Sequence, residues 1–253
     1  MTSKTVNLRK MTLGTGRPKI AVPITGKTAS EIIEQAKTIA PKTPDLVEWR
    51  IDFYEDVTDA KQLTSTGKQL HDTLGSIPIL TTFRTKGEGG ELQLSDDQYF
   101  EICKTVITAG FTDALDVERY HDEASVKALV NKAHENQVVV IMSNHDFDKT
   151  PDQTDIVGRL TSMVELGADV AKMAVMPQSA DDVLTLLAAT NQAHQELDQP
   201  LITMSMGDLG KVSRISGEVF GSCLSFGSVG AGSAPGQISL DDLRHDLNDL
   251  KLS

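Results

Sequence analysis

Eight short apolar runs, each followed by a longer amphipathic stretch, recur along this chain and leave few ways to fold it. The runs are KIAVPI (19–24), DLVEWRI (45–51), IPILTTF (77–83), TDALDVE (112–118), VVVIMSN (138–144), DVAKMAV (169–175), PLITMSM (200–206) and SCLSF (222–226). They are near-continuous rather than alternating, as parallel strands covered on both faces must be. N-cap signatures open several of the intervening stretches: Thr28 with Glu31, Ser95 with Gln98, Thr150-Pro151 with Gln153, and Ser239 with Asp242. Eight strand–helix units in 253 residues predict an α/β fold, a (β/α)8 TIM barrel formed by 1–253 as one catalytic domain. An open doubly wound sheet is the alternative. It usually carries a glycine-rich nucleotide turn after its first strand, whereas Thr25-Gly26-Lys27 follows this one. The first 18 residues read as a short hairpin closing the barrel bottom.

The formal net charge of −12, with no basic stripe, argues against a nucleic-acid partner. It would repel an anionic substrate at long range, but screening confines that repulsion to about 8 Å, so a local arginine cluster can override it. Cys103 and Cys223 have no Cys or His at ligand spacing and read as buried free thiols, one in a helix and one in a strand. There is no apolar leader core and no run approaching about 18 apolar residues, so the expected location is the cytoplasm, with no membrane partner.

Against this apolar background, polar residues in strands stand out. Lys172 lies in the middle of DVAKMAV, where a long cation is costly without a partner or a task. Desolvation favours a neutral amine, and a neutral lysine amine is a nucleophile of the Schiff-base kind. At the ordinary pKa only about one lysine in 2,500 is neutral at pH 7, so burial has much to add. In VEWRID, Glu48, Arg50 and Asp52 share one face by the period-2 rule, while Trp49 and Ile51 share the other. The charged face must be the lumen near an open end. A buried ion-pair ladder is its plain structural explanation.

Arg84 ends the third run, and Glu88 follows among glycines that permit close backbone approach. His145 ends the fifth, at the strand end where barrels place their chemistry. The other five histidines, at 71, 121, 134, 194 and 245, fall in or beside helices and read as solvated. Met204 and Met206 share a face of the seventh run, and Arg214 sits in a short helical stretch beyond it. After the eighth run, GSVGAGSAPGQ (227–237) is too long for a tight turn, and barrels often bind anions there. Individually weak, these positions all converge on one barrel mouth.

A lysine nucleophile beside a histidine and ringed by arginines suggests imine chemistry on a small anionic keto compound. The imine nitrogen is an electron sink that acidifies the neighbouring C–H bond. His145, with an ordinary pKa near 6.5, suits the transfer of that proton, and Glu88 can orient the ring. The arginines can hold a carboxylate and hydroxyls by charge-assisted hydrogen bonds.

Seven ordered motifs carry the reading further: VEWRID (47–52), TFR with EGGE (82–84, 88–91), SNHDF (143–147), DVAKMAV (169–175), ITMSMG (202–207), SRISGEVFGS (213–222) and SAPGQ (233–237). Through them the chain resembles the type I 3-dehydroquinate dehydratases over nearly its whole length. The resemblance implies conversion of 3-dehydroquinate to 3-dehydroshikimate, the third step of the shikimate pathway, by a barrel with no metal and no cofactor, usually a homodimer. It implies that Lys172 forms the imine, that His145 moves the protons and that Glu88 supports His145. It further implies that Glu48, Arg50 and Arg84 meet the substrate hydroxyls. Arg214, Ser233 and Gln237 would meet its carboxylate under a lid formed by 227–237, with Ala234 also among the substrate-binding residues and Met204, Met206 and Phe226 packing about the ring. Pro23 departs from the pattern, standing where some members have a substrate-facing serine, so a first-strand contact is not expected.

Two rivals remain. Another Schiff-base barrel, such as an aldolase or transaldolase, would act on a hydroxyl rather than a C–H bond, and the arginine set fits a cyclic carboxylate better than a sugar phosphate. An inert barrel would have Lys172 merely paired with Glu48, with no ligand-dependent gain in stability.

Overall fold

The computed structural model describes residues 5–230 and 233–252. An antiparallel hairpin, β1 (Val6–Leu8) and β2 (Met11–Leu13), precedes the parallel sheet. The barrel strands are β3 (Lys19–Ile24), β4 (Leu46–Arg50), β5 (Ile79–Thr82), β6 (Ala114–Glu118), β7 (Val139–Asp146), β8 (Val170–Val175), β9 (Leu201–Ser205) and β10 (Leu224–Ser228). They neighbour one another in chain order from β3 to β9, and β10 pairs back onto β3. The seam between β9 and β10 is closed by a single bridge, Leu201 to Ser222, with Cys223 N–H donating to Leu201 O at 2.7 Å. A two-residue strand, β11 (Ile238–Ser239), pairs with Gly227 and Ser228 at the outer side of β10.

Helices cover the outside: α1 (Ala29–Ile39), α2 (Ala60–Leu74), α3 (Asp96–Ala109), α4 (Glu123–Glu135), α5 (Gln153–Glu165) and α6 (Ala180–Glu196). After β9 come two short helices, α7 (Lys211–Ile215) and α8 (Gly217–Phe220), and α9 (Leu240–Asp249) ends the circuit. Each of α1 to α6 opens on a side-chain cap, worth about 1 kcal/mol apiece: Thr28, Asp59, Ser95, Asp122, Asp152 and Ser179. The cap of α5 is Asp152, accepting from Asp155 N–H at 2.8 Å, rather than Thr150, whose hydroxyl turns to Met176 O at 3.2 Å. The helix starts later than the Thr-Pro pair implies because a carboxylate two residues on is the stronger N-cap.

Period-2 alternation divides the strand side chains between two cores. Outward residues such as Trp49, Val117, Met142 and Met173 pack with the helices. Inward residues Leu46, Leu80, Ile141, Val170, Ile202 and Leu224 fill the lumen, and the hairpin's Leu8 and Leu13 pack with them. The hairpin thus plugs the barrel bottom, as its position in the sequence predicts. Each such buried side chain contributes roughly 1.5–3 kcal/mol, which is why the lower lumen is solid. At the bottom rim Asp45, Asp113 and Asp169, each just before an even-numbered strand, accept the N–H of Ile20, Ile79 and Val140 at 2.8 Å. They satisfy donors that the strand starts would otherwise leave open.

Two expectations are corrected here. β10 begins at Leu224 and runs to Ser228, so the first residues assigned to the long loop are strand. Cys223 therefore lies before the strand, at the seam, and is half-buried, whereas Cys103 in α3 is buried.

Candidate active site

With the lower lumen filled, the upper lumen opens into a recess of about 500 Å³ at the C-terminal strand ends. All thirteen side chains named from the sequence line it: Glu48, Arg50, Arg84, Glu88, His145, Lys172, Met204, Met206, Arg214, Phe226, Ser233, Ala234 and Gln237. Gly89, Phe147 and Ala174 line it as well. Pro23 contributes no wall and faces a separate pocket with Thr25, Gln35 and Val229.

Lys172 points inward from the middle of β8, opposite Ser143 of β7 and Ile202 of β9. It is only 3% exposed, but it is not surrounded by apolar groups alone. Its Nζ lies 2.9 Å from Asp116 Oδ2 and 3.8 Å from Glu48 Oε1, and 4.9 Å from the centre of the Phe226 ring. Burial therefore comes with charge compensation, unlike the apolar pocket suggested by DVAKMAV alone. Asp116 is a residue the sequence reading passes over, although ALDVE carries the same signal as VEWRID. Period 2 places Asp116 and Glu118 on one face of β6.

Those two carboxylates organise the β4–β8 side. Arg84 donates from Nη2 to Asp116 Oδ1 and from Nη1 to Glu118 Oε1, both at 2.8 Å, and to Ser143 Oγ at 3.0 Å. Burial would raise the Asp116 carboxyl, but Arg84 and Lys172 outweigh it and hold the group well below the usual carboxylate range. Arg50 is bidentate on Asp52, with Nε and Nη2 each at 2.8 Å. Asp52 lies one turn beyond β4, in the 3-10 segment Ile51–Phe53, which brings its carboxylate back over Arg50. Glu48 accepts from Thr82 Oγ1 at 2.9 Å.

His145 and Glu88 form a unit across β7 and the β5 loop. Glu88 Oε2 lies 2.9 Å from His145 Nδ1 and accepts the His145 backbone N–H at 3.0 Å, while Oε1 accepts from Asn144 Nδ2 at 3.0 Å. Burial, then Arg84 and Lys172, hold the imidazole well below its ordinary pKa, so it is neutral at pH 7. Burial pushes the Glu88 carboxyl up to about 7 against the pull of Arg84. Since both Glu88 oxygens already accept, Nδ1 carries the proton of the neutral ring and Nε2 is left with a free lone pair.

The β9–β10 side differs. Arg214, projecting from α7 and 2% exposed, has no carboxylate partner among the described residues. Its Nη2 donates to Pro235 O at 2.9 Å, its Nη1 faces Met204 Sδ at 3.8 Å, and its Nε has no partner. Burial alone lowers its pKa to about 10. Pro235 O also accepts from Gly207 N–H at 3.3 Å, and Gln237 and Ser233 bond each other at 2.9 and 3.2 Å. These contacts fold the SAPGQ segment over the mouth, whereas Ala231 and Gly232 of the 227–237 loop lie outside the described residues. Among the described residues, no group of three His, Cys, Asp or Glu side chains is placed to hold a metal ion.

Fold and recess together define a class: a parallel α/β barrel enzyme with a buried lysine at the C-terminal mouth of its sheet. Comparison with known proteins narrows it. Residues 20–252 match the family model of type I 3-dehydroquinase, and the chain belongs to that family. It is 68% identical over 248 residues to the 3-dehydroquinate dehydratase of Lactiplantibacillus plantarum, covering 98% of each chain. Among solved structures it superposes on the type I 3-dehydroquinate dehydratase of Clostridium difficile, covalently modified with comenic acid, at a TM-score of 0.96. That pair is 46% identical with 98% of each chain covered. The 3-dehydroquinate dehydratase of Geobacillus kaustophilus also gives 0.96, at 36% identity over 98% of this chain and 97% of that one.

Proposed function

We propose that this enzyme removes water from 3-dehydroquinate to give 3-dehydroshikimate, through an imine on Lys172. The observation that carries the reading is one recess holding a buried lysine, a neutral histidine braced by a carboxylate, and an arginine with no counter-ion among the described residues. The amine adds to the ring ketone, whose oxygen leaves as water. His145 Nε2 takes the proton from the carbon beside the iminium, and the electron pair passes into the nitrogen. The enamine then expels the β-hydroxyl, which takes the proton held by His145 and departs as water. Hydrolysis of the imine frees Lys172 and the enone product. Asp116 offsets the positive charge on the Lys172 nitrogen in the iminium, and Glu88 stabilises the imidazolium while it exists.

Arg214 supports the choice of a carboxylate substrate. A buried guanidinium without an anion is costly, and a ligand carboxylate repays that cost in the bound state. Ser233, Ala234 and Gln237 close over the same corner, and Met204, Met206 and Phe226 offer an apolar wall to a six-membered ring. Glu48 and Arg50 keep unused polar atoms toward the recess for hydroxyls, while Arg84 acts mainly by fixing Asp116 and Glu88. The inert barrel predicts an unreactive Lys172 and no gain in stability on adding 3-dehydroquinate. Residues 1–253 are taken as one catalytic domain acting as a homodimer in the cytoplasm. Among the described residues no helix is long and apolar enough to cross a membrane.

The test is borohydride reduction with 3-dehydroquinate present, followed by intact and peptide mass spectrometry. A stable adduct on the peptide containing Lys172 is expected. Turnover with an adduct on another lysine would overturn the assignment, and absence of turnover would overturn the activity.

A further inference from the structure

One ionisable side chain near the mouth has no part in the chemistry above. His121, three residues beyond the end of β6, has a side chain only 10% exposed, unlike the solvated histidine expected of a helix-adjacent loop. Its ring stacks on Tyr99, with centroids 4.3 Å apart at 22°, and meets the edge of Phe100 at 5.5 Å. Nδ1 is hydrogen-bonded to Asp96 Oδ1 at 3.1 Å, while the buried Nε2 lies 3.4 Å from Glu118 Oε2, an ion-pair separation outside hydrogen-bond geometry. The titratable groups facing it are thus Asp96 and Tyr99 from α3 and Glu118 from β6, with Arg84 beyond the Glu118 carboxylate. A neutral imidazole has one N–H and can serve one of the two carboxylates. The imidazolium serves both. Burial favours the neutral ring, but Glu118 and Asp96 outweigh it and raise the pKa above the ordinary value.

Glu118 is the hub of this corner. Its Oε1 accepts from Arg84 Nη1 and from the Thr85 N–H, both at 2.8 Å, and its Oε2 accepts from Thr85 Oγ1 at 2.7 Å. Its own backbone N–H donates to Tyr99 Oη at 3.0 Å. Thr85 opens the turn that carries Glu88, whose N–H returns to Thr85 O at 3.0 Å. Arg84 Nη1 lies 3.5 Å from Glu88 Oε2, the oxygen that braces His145. The contacts therefore form a continuous chain from His121 through Glu118, Arg84 and Thr85 to Glu88 and His145.

We propose that His121, in its charged form, is a positioning residue for this reaction: it fixes the Glu118 carboxylate and so the turn that sets Glu88 against His145. The proposal rests on the roles of His145 and Glu88 given above. As pH rises past the point where His121 loses its proton, one of its two carboxylates loses a donor. Turnover then falls by a partial step, because the reacting groups themselves remain.

The experiment compares wild type with His121→Phe, which keeps the stack on Tyr99, and His121→Gln, which keeps an amide near Glu118. Turnover of 3-dehydroquinate is followed from about pH 5.5 to about pH 9, and the imidazoles are titrated by nitrogen-15 NMR. His121→Phe is expected to lower kcat roughly tenfold with KM nearly unchanged, as displaced catalytic groups do. His121→Gln recovers most of kcat, and neither variant shows the alkaline step. Wild-type kcat and an unchanged alkaline step in both variants would overturn the proposal. If His121→Phe does not fold, the step in His121→Gln decides. If wild type does not turn over 3-dehydroquinate, the functional reading fails separately and NMR decides. A His145 titration that changes in His121→Gln supports the link, and an unchanged one removes it.

Discussion

The two sides of the barrel mouth use the same residue type to opposite ends. On the β4–β8 side, Arg50, Arg84 and Lys172 each lie within 2.9 Å of a carboxylate, so every cation is paired before any ligand arrives. On the β9–β10 side, Arg214 is as deeply buried, but among the described residues its guanidinium bonds only a carbonyl oxygen and a thioether. A compensated buried cation holds neighbours in place, and an uncompensated one awaits a partner. The difference teaches that burial alone does not identify a binding group; the missing counter-ion does.

The comparison is tested hardest at the reacting pair. Lys172→Ala should lower kcat on the order of 10⁴-fold or more, with no borohydride adduct, because the covalent route is gone. His145→Ala should cost about 10²–10⁴-fold yet accumulate the imine, since proton transfer and not the electrophile is lost. Mass spectrometry of the trapped species separates the two, and an adduct in Lys172→Ala would break the assignment.

The arginines give the next largest effect and the sharpest contrast. Arg84→Met should destabilise the fold by about 3–5 kcal/mol, because buried Glu118 loses the guanidinium bonded to it and buried Asp116 keeps only Lys172. Arg214→Met should leave stability unchanged or slightly raised and weaken substrate binding roughly 10–100-fold, the worth of one charge-assisted contact. Denaturant melts and KM measured on both variants check this, and equal destabilisation would erase the distinction between the two sides.

Glu88 supplies the smallest effect, read in stability against pH. Its folded pKa, about 7, lies above the unfolded value of about 4.3. The stability it contributes is fully present below about pH 4.3 and is lost as pH rises through about 7. Glu88→Gln, which cannot ionise, should therefore melt a few degrees above wild type near pH 8, and the advantage should vanish by about pH 4. A constant offset across that range would mean that ionisation of Glu88 is not what differs. The same variant should lose activity, because an amide cannot brace the imidazolium as a carboxylate does.

Much of this site is legible from local order in the chain. Strand periodicity sends Glu48 and Arg50 to one face and Trp49 to the other, and the structure places them in the lumen and in the outer core respectively. His145 and Arg84 are found through their position at strand ends. Asp116 and Glu118 were available by the same rule, since they alternate with Val117 in β6. His121 was not, because nothing in YHDEAS says that α3 will stack Tyr99 against it and set Asp96 at its Nδ1.

The eight strands, the inward set of side chains and the mouth at which they gather can be read off the chain, because period 2 and strand direction are local properties of the backbone. Which charges find a partner is settled by how distant segments meet. Lys172 meets Asp116 from 56 positions away, and Arg84 meets Asp116 across 32. Among the described residues Arg214 meets no carboxylate, though it lies in a chain with 36 acidic residues. Such pairings follow from how the sheet closes and which loop docks where. Distances of that kind are set by the whole barrel rather than by any stretch of it.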